Sequence, residues 1–518
     1  MAKNIVKAAG LLFIINICVK LLGFGREMAI ANVFGASFLT DAYLAAYTLP
    51  YFFQAILGYA FISAILPELS ACWTDQGDNS RACRLGSTLL NVIVASMVVL
   101  SLAGILAAKG LIWLTAPGLD GETAVMAVEM TRIIFPSMIF ISAGMVISAV
   151  LNARYRFAAA AFAPGMCSIC IILAAMIFSR GDIYVLAWGT LIGFGAFFLI
   201  QMIDLPRSGF RYHFCWDVRD PAFKRIMVNI VPIVLALSVT QIYTVVNRIF
   251  ASGLAEGSIS ALNYANKLMN LPLGIFVTAI ITVAFPALAE KAQQTDMTEF
   301  TESVKRGLSM ILVIALPSAL GLMMLSEDII SLLFESGSFT AESTLITSQA
   351  LVPMAPGLIF LAISMLLIRV YFALREVKIP LLCGIASITV NVAASFLLVG
   401  PMGHGGLSLA NTIAAAVNGL MLLAFLAKKI PLLSAGSPVR KVAWQSVVAC
   451  VFMAAAVFAG TLLWPAGAGK LYLAIKICVL IAAAIIIYFL VLKLMRCPVI
   501  AMLRKSASDK FGEKRAAK

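Results

Sequence analysis

Residues 471–492, LYLAIKICVLIAAAIIIYFLVL, form an apolar run interrupted by a single lysine, and runs of this kind decide the fold. A helix needs about 20 mostly apolar residues to cross the hydrocarbon core of a membrane, and this run has that length. Working outward along the chain, we find fourteen such runs. We therefore predict an all-α polytopic membrane protein with fourteen transmembrane helices. Their centres lie near Ile15, Gln54, Val98, Ile141, Ile171, Gly193, Leu237, Val277, Leu312, Leu361, Thr389, Val417, Met453 and Ile481.

The composition agrees with a membrane protein and excludes other classes. Of the 518 residues, 62% are hydrophobic and 12% are charged, whereas a soluble domain averages about 45–50% apolar residues. A soluble enzyme and a disordered chain are therefore excluded. Ten cysteines are too few for a disulfide scaffold, and two histidines are too few for a His-rich metal site.

The distribution of lysine and arginine predicts the orientation. The net charge is +14, and cytoplasmic loops of membrane proteins are richer in Lys and Arg than external loops. If both termini are cytoplasmic, the predicted outer loops hold only Lys109, Arg180 and Lys470. We therefore predict a multi-pass protein with both termini in the cytoplasm. Nucleic-acid binding is not expected, because the basic residues are scattered over many short loops.

Landmark residues recur at a spacing of about 220 residues, which indicates an internal repeat. Arg26 with Arg248 is one such pair, and Pro50 with Pro272 is another. Six helices per repeat is an even number, so we predict two six-helix lobes in a parallel pseudo-twofold repeat, a plan typical of transporters. The predicted segments are an N-terminal lobe (1–203), a cytoplasmic interfacial linker (204–225), a C-terminal lobe (226–428), two C-terminal helices that form a groove (429–495) and a basic cytoplasmic tail (496–518).

A few charged residues inside the predicted spans are the candidate binding residues. A charge at the bilayer centre costs at least about 2.5–3.5 kcal/mol, so these residues face a wet cavity or reach the membrane surface. Arg26 and Arg248 occupy equivalent places in the repeats, and paired arginines suit a phosphate or pyrophosphate group. Lys20 and Lys267 are also candidate binding residues, because each carries a positive charge in a predicted span. For Lys267 the alternative is snorkelling to the membrane surface. Asp41 opens the second span, where it either belongs to the cavity or caps a helix.

Four further patterns bear on the shape of the protein and on its contacts with the membrane. Gly23 and Gly25, between Lys20 and Arg26, would allow a bend that turns both basic side chains toward one cavity. Lys476, in the last span, is expected to snorkel outward. Broken or kinked helices are expected at prolines inside the spans, namely Pro136, Pro164, Pro232, Pro317, Pro353 and Pro356. The linker mixes basic residues with aromatic ones, as segments lying on a membrane surface do; the aromatic residues are Phe210, Tyr212, Phe214 and Trp216.

Several short motifs together resemble the MurJ (MviN) family of lipid II flippases. They are Leu22-Gly23-Phe24-Gly25-Arg26-Glu27, Phe34-Gly35-Ala36, Thr40-Asp41-Ala42-Tyr43, Leu49-Pro50, Asn152-Ala153-Arg154-Tyr155-Arg156-Phe157, Asn263-Tyr264-Ala265, Leu271-Pro272 and Gly403-His404-Gly405-Gly406-Leu407. The resemblance covers residues 7–428. It implies the multidrug/oligosaccharidyl-lipid/polysaccharide exporter superfamily and alternating access in the bacterial cytoplasmic membrane. The implied cargo is lipid II, the undecaprenyl-pyrophosphate-linked peptidoglycan precursor, moved from the inner to the outer leaflet.

The resemblance also implies roles for single residues. Lys20 and Arg26 match basic cavity positions of the first helix, Asp41 matches the acidic position opening the second, and Lys267 matches a basic position of the eighth. Together with Arg248, they are expected to hold the pyrophosphate-sugar head group. The last two helices are expected to form a groove for the lipid tail. Membrane lipids and the cell-wall synthesis machinery are implied partners, and neither an enzymatic reaction nor a cofactor is expected.

The chain departs from the family pattern at several positions. Thr48 and Gln54 stand where family members commonly carry basic residues, and Gly58 stands where they carry an acid. Some members bind sodium through aspartates on helices seven and eleven. For this chain we assign no metal site. The corresponding residues of this chain are neutral, namely Asn247, Asn391, Ser395 and Asn411. Because a neutral ligand set binds sodium less well, either Na⁺ or the membrane potential could supply the driving force.

Two other functions stay open at this point. A flippase for another lipid-linked oligosaccharide or polysaccharide precursor would have the same architecture. A membrane enzyme such as a glycan polymerase would need a sizeable outer loop carrying catalytic acids or bases. The longest predicted outer loops, residues 117–129 and 327–342, are short.

Overall fold

The computed structural model describes residues 2–74, 79–292, 297–432, 437–465, 467 and 469–500. Most of these residues are helical and none of them lies in a strand, which confirms the all-α class. In chain order the helices are α1 (Ala2–Phe34), α2 (Phe38–Thr74), α3 (Asn79–Leu106), α4 (Ala108–Thr115), α5 (Gly121–Ile134), α6 (Ser137–Ala153), α7 (Phe157–Leu173), α8 (Tyr184–Asp204), α9 (Pro221–Ser252), α10 (Ser258–Pro272), α11 (Thr278–Lys291), α12 (Thr298–Met324), α13 (Ser326–Phe334), α14 (Ala341–Met354), α15 (Gly357–Ala373), α16 (Lys378–Ala427), α17 (Pro438–Leu463) and α18 (Lys470–Leu494).

Many of these helices have the length and apolarity needed to cross a membrane. Within the described ranges, nine qualify on their own, and up to eleven spans result if each of two bent helix pairs counts as one. The chain is therefore a multi-pass membrane protein. The predicted total of fourteen stays a prediction, since length and composition alone do not select every predicted span.

The longest helix, α16, contains two of the predicted spans. Its 50 residues are broken at Gly403, where φ is 55° and ψ is −133°. The halves then pack antiparallel: the Ser387 hydroxyl donates to the Ala414 carbonyl oxygen at 2.8 Å, and the Asn391 amide donates to Asn411 Oδ1 at 2.9 Å. α16 is thus a helical hairpin, as expected from two successive spans.

Two of the prolines coincide with true breaks. The α5–α6 pair is bent by 41° beside Pro136, and the α14–α15 pair is bent by 50° beside Pro356. Proline removes a backbone hydrogen bond and clashes with the preceding turn, which accounts for a break at either place. Pro164, Pro232 and Pro317 lie inside α7, α9 and α12, which run on past them without a break. Pro353 lies near the end of α14, next to the same bend as Pro356.

The described chain divides into two compact units. Unit 1 comprises residues 1–260 and 336–340, and unit 2 comprises residues 261–335 and 341–518. In unit 1, α2 packs against α5, α6 and α9, and α7 packs against α1 and α8. In unit 2, α12 packs against α15 and α17, and α17 against α18. The lobe boundaries derived from the repeat stay a prediction.

Each unit has its own apolar core. The core of unit 1 joins α2, α3 and α6 to the linker through Phe210 and to the start of α9 through Phe223. The core of unit 2 joins α12, α17 and α18, where the Tyr488 hydroxyl donates to the Val313 carbonyl oxygen at 2.9 Å. In the predicted basic tail, the following residues lie outside the described ranges: Arg504, Lys505, Lys510, Lys514, Arg515 and Lys518.

Candidate functional site

Helix α2 organises the candidate site in unit 1. Side chains seven residues apart in a helix share a face, because about 3.6 residues make one turn. Asp41 and Thr48 therefore lie on one face of α2. Tyr43, Tyr47 and Tyr51, each four residues from the next, lie on another face.

Asp41 lies on α2, but the helix that its side chain caps is α10. Its side chain is 3% exposed. Oδ2 accepts from the backbone N–H of Gly257 at 2.8 Å, and Oδ1 accepts from that of Ser260 at 2.7 Å. The first N–H groups of a helix have no intrahelical acceptor, and a carboxylate is a strong one. Asp41 therefore ties α2 to the first turn of α10.

This contact depends on a close backbone approach. Gly257 has a φ of +81°, and a Cβ atom there would lie 2.6 Å from the carbonyl oxygen of Ala36. Gly35, in the same turn between α1 and α2, has a φ of +67°, and its Cβ would lie 2.5 Å from the carbonyl oxygen of Ser338. Only glycine fits both the dihedral angle and the space at these two positions.

Arg248 lies on α9 beside the Asp41 face of α2. Its Nε donates to Thr48 Oγ1 at 3.2 Å, and the Asp41 carboxylate is its electrostatic neighbour. Thr48 itself donates to the carbonyl oxygen of Leu44 at 2.7 Å. Thr48, one of the departures from the family pattern, is thus the residue that positions the Arg248 guanidinium.

Arg26 has a different set of partners on α1. Its Nη2 lies 2.7 Å from Glu27 Oε1, and the two side chains are 16% and 5% exposed. Tyr43 and Tyr47 are its other electrostatic neighbours. Within the described chain, Arg26 Nε is buried and has no hydrogen-bond partner. Arg26 and Arg248 thus lie beside different faces of α2, and Arg26 Nε is a donor without an acceptor in the described part of the chain.

The tyrosine face of α2 is a feature that the sequence analysis missed. The rings of Tyr43 and Tyr47 are stacked with centroids 6.0 Å apart, and Tyr51 follows at 5.9 Å. Tyr43 is anchored by a 2.8 Å hydrogen bond to Thr190 on α8, and Tyr47 stacks on Phe194 of the same helix. The spacing of four residues was the signal that could have revealed this stripe.

The two candidate lysines lie in different units. Lys20 is exposed on α1, which runs unbroken through Gly23 and Gly25. The helix is thus not interrupted between Lys20 and Arg26, and a bend at the two glycines stays a prediction. Lys267 is half-buried on α10 in unit 2. The binding roles of both lysines stay predictions.

Lys476 on α18 has a structural partner. Its Nζ lies 2.8 Å from Asp328 Oδ2 on α13, and the two side chains are 18% and 24% exposed. Asp328 belongs to a predicted outer loop, so the pair agrees with a lysine that snorkels toward the outer surface. This contact gives a structural reason for a charge in the predicted tail groove.

The neutral residues considered for an ion also fall in both units. Asn247 lies on α9 in unit 1, where its amide donates to the Tyr243 carbonyl oxygen at 3.0 Å. On α16, Asn391 Oδ1 and Ser395 Oγ are buried and lack hydrogen-bond partners within the described residues. They lie one turn apart. Asn411 Oδ1 already accepts from Asn391. These groups offer neutral oxygens without a carboxylate, a weak ligand set for Na⁺.

Sequence comparisons identify the family. The family model described as "Lipid II flippase MurJ" matches residues 30–492. A lipid II flippase MurJ of Burkholderia cenocepacia is 31% identical over 422 residues, covering 79% of this chain and 81% of the relative. A probable lipid II flippase MurJ of Bdellovibrio bacteriovorus is 27% identical over 515 residues, covering 98% of this chain and 97% of the relative.

Solved structures agree with this result. A structure titled "Lipid II flippase MurJ, inward closed conformation" matches with a TM-score of 0.78 and 26% identity, covering 93% of this chain and 99% of the other. An inward-facing MATE transporter of the MOP superfamily matches with a TM-score of 0.62, covering 82% of this chain and 100% of the other. At 17% identity, the latter shows the shared fold alone. The chain belongs to the lipid II flippase MurJ family.

Proposed function

We propose that this chain is a transporter that flips lipid II from the inner to the outer leaflet of the bacterial cytoplasmic membrane by alternating access. Family membership supports the substrate, and the multi-pass helical fold supports the location. The relatives named above are flippases and favour neither an enzyme nor a carrier of another glycan lipid. The distribution of Lys and Arg supports an orientation with both termini in the cytoplasm.

The observation that supports the proposal most directly is the burial of the Arg26 guanidinium and its incomplete set of hydrogen bonds. Its guanidinium is largely buried, and Glu27 neutralises one side of it, while Nε has no acceptor among the residues that the structure describes. A buried donor without an acceptor is costly, by about 1–3 kcal/mol. An incoming phosphate oxygen would remove this cost, because arginine binds phosphate through several N–H groups at once. We therefore assign Arg26 to the pyrophosphate of lipid II.

Arg248 and Asp41 are assigned to two further parts of the mechanism, which are binding of the head group and the conformational change. Arg248 is positioned by Thr48, and its own charge makes it a second ligand for the anionic head group. Asp41 holds the first turn of α10 through two backbone hydrogen bonds. Release of these bonds would free α10 to move, so we assign Asp41 to the conformational step. Lys20 and Lys267 are proposed as further contacts to the head group.

The membrane potential is the proposed driving force. Each negative charge moved outward gains about 2.3 kcal/mol per 100 mV when the inside is negative. A sodium ion is the weaker candidate, since the α16 oxygens near Asn391 and Ser395 are neutral. Contact with the cell-wall synthesis machinery is a further proposal, because that machinery consumes lipid II on the outer face.

The function is tested in bacterial cells that depend on this chain as their lipid II flippase. On depletion of the chain, we expect lipid II to accumulate in the inner leaflet and to become inaccessible to reagents applied outside. Re-expression of the native chain should restore access. Normal outer-leaflet lipid II after depletion would refute the assignment, and restoration by an unrelated glycan-lipid flippase would refute the stated substrate preference.

A further inference from the structure

The segment between α8 and α9 is held against α3 without forming a helix of its own. We call residues 209–219 the linker loop. Three of its backbone N–H groups donate to side chains of α3: Arg211 to Cys83 Sγ at 3.3 Å, His213 to Ser87 Oγ at 3.0 Å, and Asp217 to Thr88 Oγ1 at 3.2 Å. Backbone groups that have no secondary structure need such partners. The loop therefore has a defined position on α3.

Asn91 holds the tip of the loop further along α3. Its Nδ2 donates to the carbonyl oxygen of Cys215 at 3.0 Å, and the Tyr212 hydroxyl donates to its Oδ1 at 2.7 Å. Both polar atoms of the amide are thus committed to the loop. The tip, residues 212–216, is fixed beside the part of α3 where the apolar run begins.

The tip presents large apolar side chains outward. Phe214 is 78% exposed and Trp216 is 50% exposed, and their rings form an edge-to-face pair with centroids 6.4 Å apart. Phe210, in the same loop, is by contrast buried in the core of unit 1. A fixed, exposed aromatic pair indicates an interaction surface.

The position of the tip on α3 points to lipid. Val98 and Leu102 lie seven and eleven residues after Asn91, so all three share a face of the helix. Val98 is 38% exposed and Leu102 is 58% exposed, and α3 qualifies as a membrane span. The aromatic pair therefore lies beside an exposed apolar stripe of α3, a helix that is long and apolar enough to span a membrane.

The charges around the loop are complementary to an anionic surface. The nearby acids are engaged by arginines: Asp204 with Arg156, Asp217 with Arg84, Asp220 with Arg81 and Glu68 with Arg225. The Arg156 guanidinium donates hydrogen bonds to the Asp204 carboxylate, and these bonds raise the pKa of Arg156. Further basic side chains are exposed on the same side of unit 1, namely Arg207, Arg211, Arg219 and Lys224. The surface thus has excess positive charge beside an apolar tip.

We propose that the linker loop is a membrane-surface anchor for anionic phospholipid. Phe214 and Trp216 enter the boundary between head groups and acyl chains, where aromatic rings are preferred. Arg211 and Arg219 contact the phosphates of anionic lipids in the same leaflet, which attract basic residues. This anchor fixes the loop between α3 and α9 against the bilayer, whichever lipid-linked substrate the chain carries.

The test uses the full-length protein in bilayers of phosphatidylcholine, with or without phosphatidylglycerol, and with brominated acyl chains that quench tryptophan. The Trp216 signal is the difference between the native chain and the Trp216→Phe variant. We expect Trp216 to be quenched, and to be quenched more when phosphatidylglycerol is present. Each of the substitutions Arg211→Gln and Arg219→Gln should weaken phosphatidylglycerol binding about fivefold.

Lys470→Gln is the matched control, because Lys470 is exposed at the start of α18 on the predicted opposite side. It should leave the Trp216 signal unchanged. Equal quenching in both bilayers would overturn the selectivity for anionic lipid. An unquenched Trp216 that becomes shielded only when other membrane proteins are present would overturn the proposal in favour of a protein partner.

Discussion

Asp41 of α2 accepts a 2.7 Å hydrogen bond from the backbone N–H of Ser260, in the first turn of α10. The two residues are far apart in sequence, and a second bond from Gly257 makes the carboxylate bidentate. A buried carboxylate with two backbone donors stabilises the start of a helix through charge and hydrogen bonding together. The two hydrogen bonds thus hold the first turn of α10 against α2.

Replacing Asp41 by alanine should therefore cost stability. Both N–H groups lose their acceptor, and we expect the free energy of unfolding to fall by about 1–3 kcal/mol. Asp41→Asn keeps one acceptor oxygen and should lose less. Thermal unfolding of the purified variants in detergent measures the difference. Equal stability of the native and alanine proteins would show that the cap contributes nothing.

The close approach of Gly257 to Ala36 predicts a second loss. Gly257→Ala places a methyl group 2.6 Å from a carbonyl oxygen at a φ of +81°. Gly181 is a matched control, because its φ is +92° and a Cβ atom there would meet nothing within 4 Å. Gly181→Ala should cost only the strain of the dihedral angle, about 1–2 kcal/mol. Gly257→Ala should cost more, and equal melting temperatures would refute the close contact.

The Lys476–Asp328 pair predicts structural coupling without an effect on binding. Lys476→Met and Asp328→Asn should each destabilise the protein, because each leaves a partly buried charge without its partner. The double variant should lose less than the two single losses together. A double-mutant cycle on thermal stability measures this coupling. Unaltered lipid II binding is expected in all three variants, and weaker binding would place Lys476 in the substrate path.

The driving force can be tested by separating sodium from voltage. In vesicles containing the purified chain, replacing sodium by potassium at constant potential should leave lipid II flipping unchanged, because the α16 oxygens carry no charge. Dissipating an inside-negative potential should slow flipping. A requirement for sodium at fixed potential would contradict this prediction and would give Asn391 and Ser395 a ligand role.

The sequence predicts the helices better than their contacts. Apolar length identifies the α16 hairpin and the last span, and proline chemistry identifies the bends beside Pro136 and Pro356. Periodicity does not reveal that Asp41 caps α10, because the partners are brought together only by tertiary packing. Thr48 could be recognised as a departure from a family pattern, yet its bond to Arg248 depends on how α9 packs on α2.

The linker loop illustrates the same limit. Its mixture of aromatic and basic residues predicts a surface segment, and three of its aromatic residues, Tyr212, Phe214 and Trp216, are indeed exposed. The burial of Phe210 and the role of Asn91 depend on side chains of α3, which are distant in sequence. Helix-forming patterns carry no information about a loop whose backbone is satisfied by another element.

The most direct test of the central claim is binding of purified lipid II to the Arg26→Gln variant of the full-length protein. Arg132→Gln is the matched control, since Arg132 is an exposed arginine on α5 of the same unit. Loss of a charge-assisted contact to the pyrophosphate should weaken binding by about 1.5–3 kcal/mol, or roughly tenfold or more, in the Arg26 variant alone. Unchanged affinity in a folded Arg26→Gln protein would contradict the assignment of Arg26 to the head group.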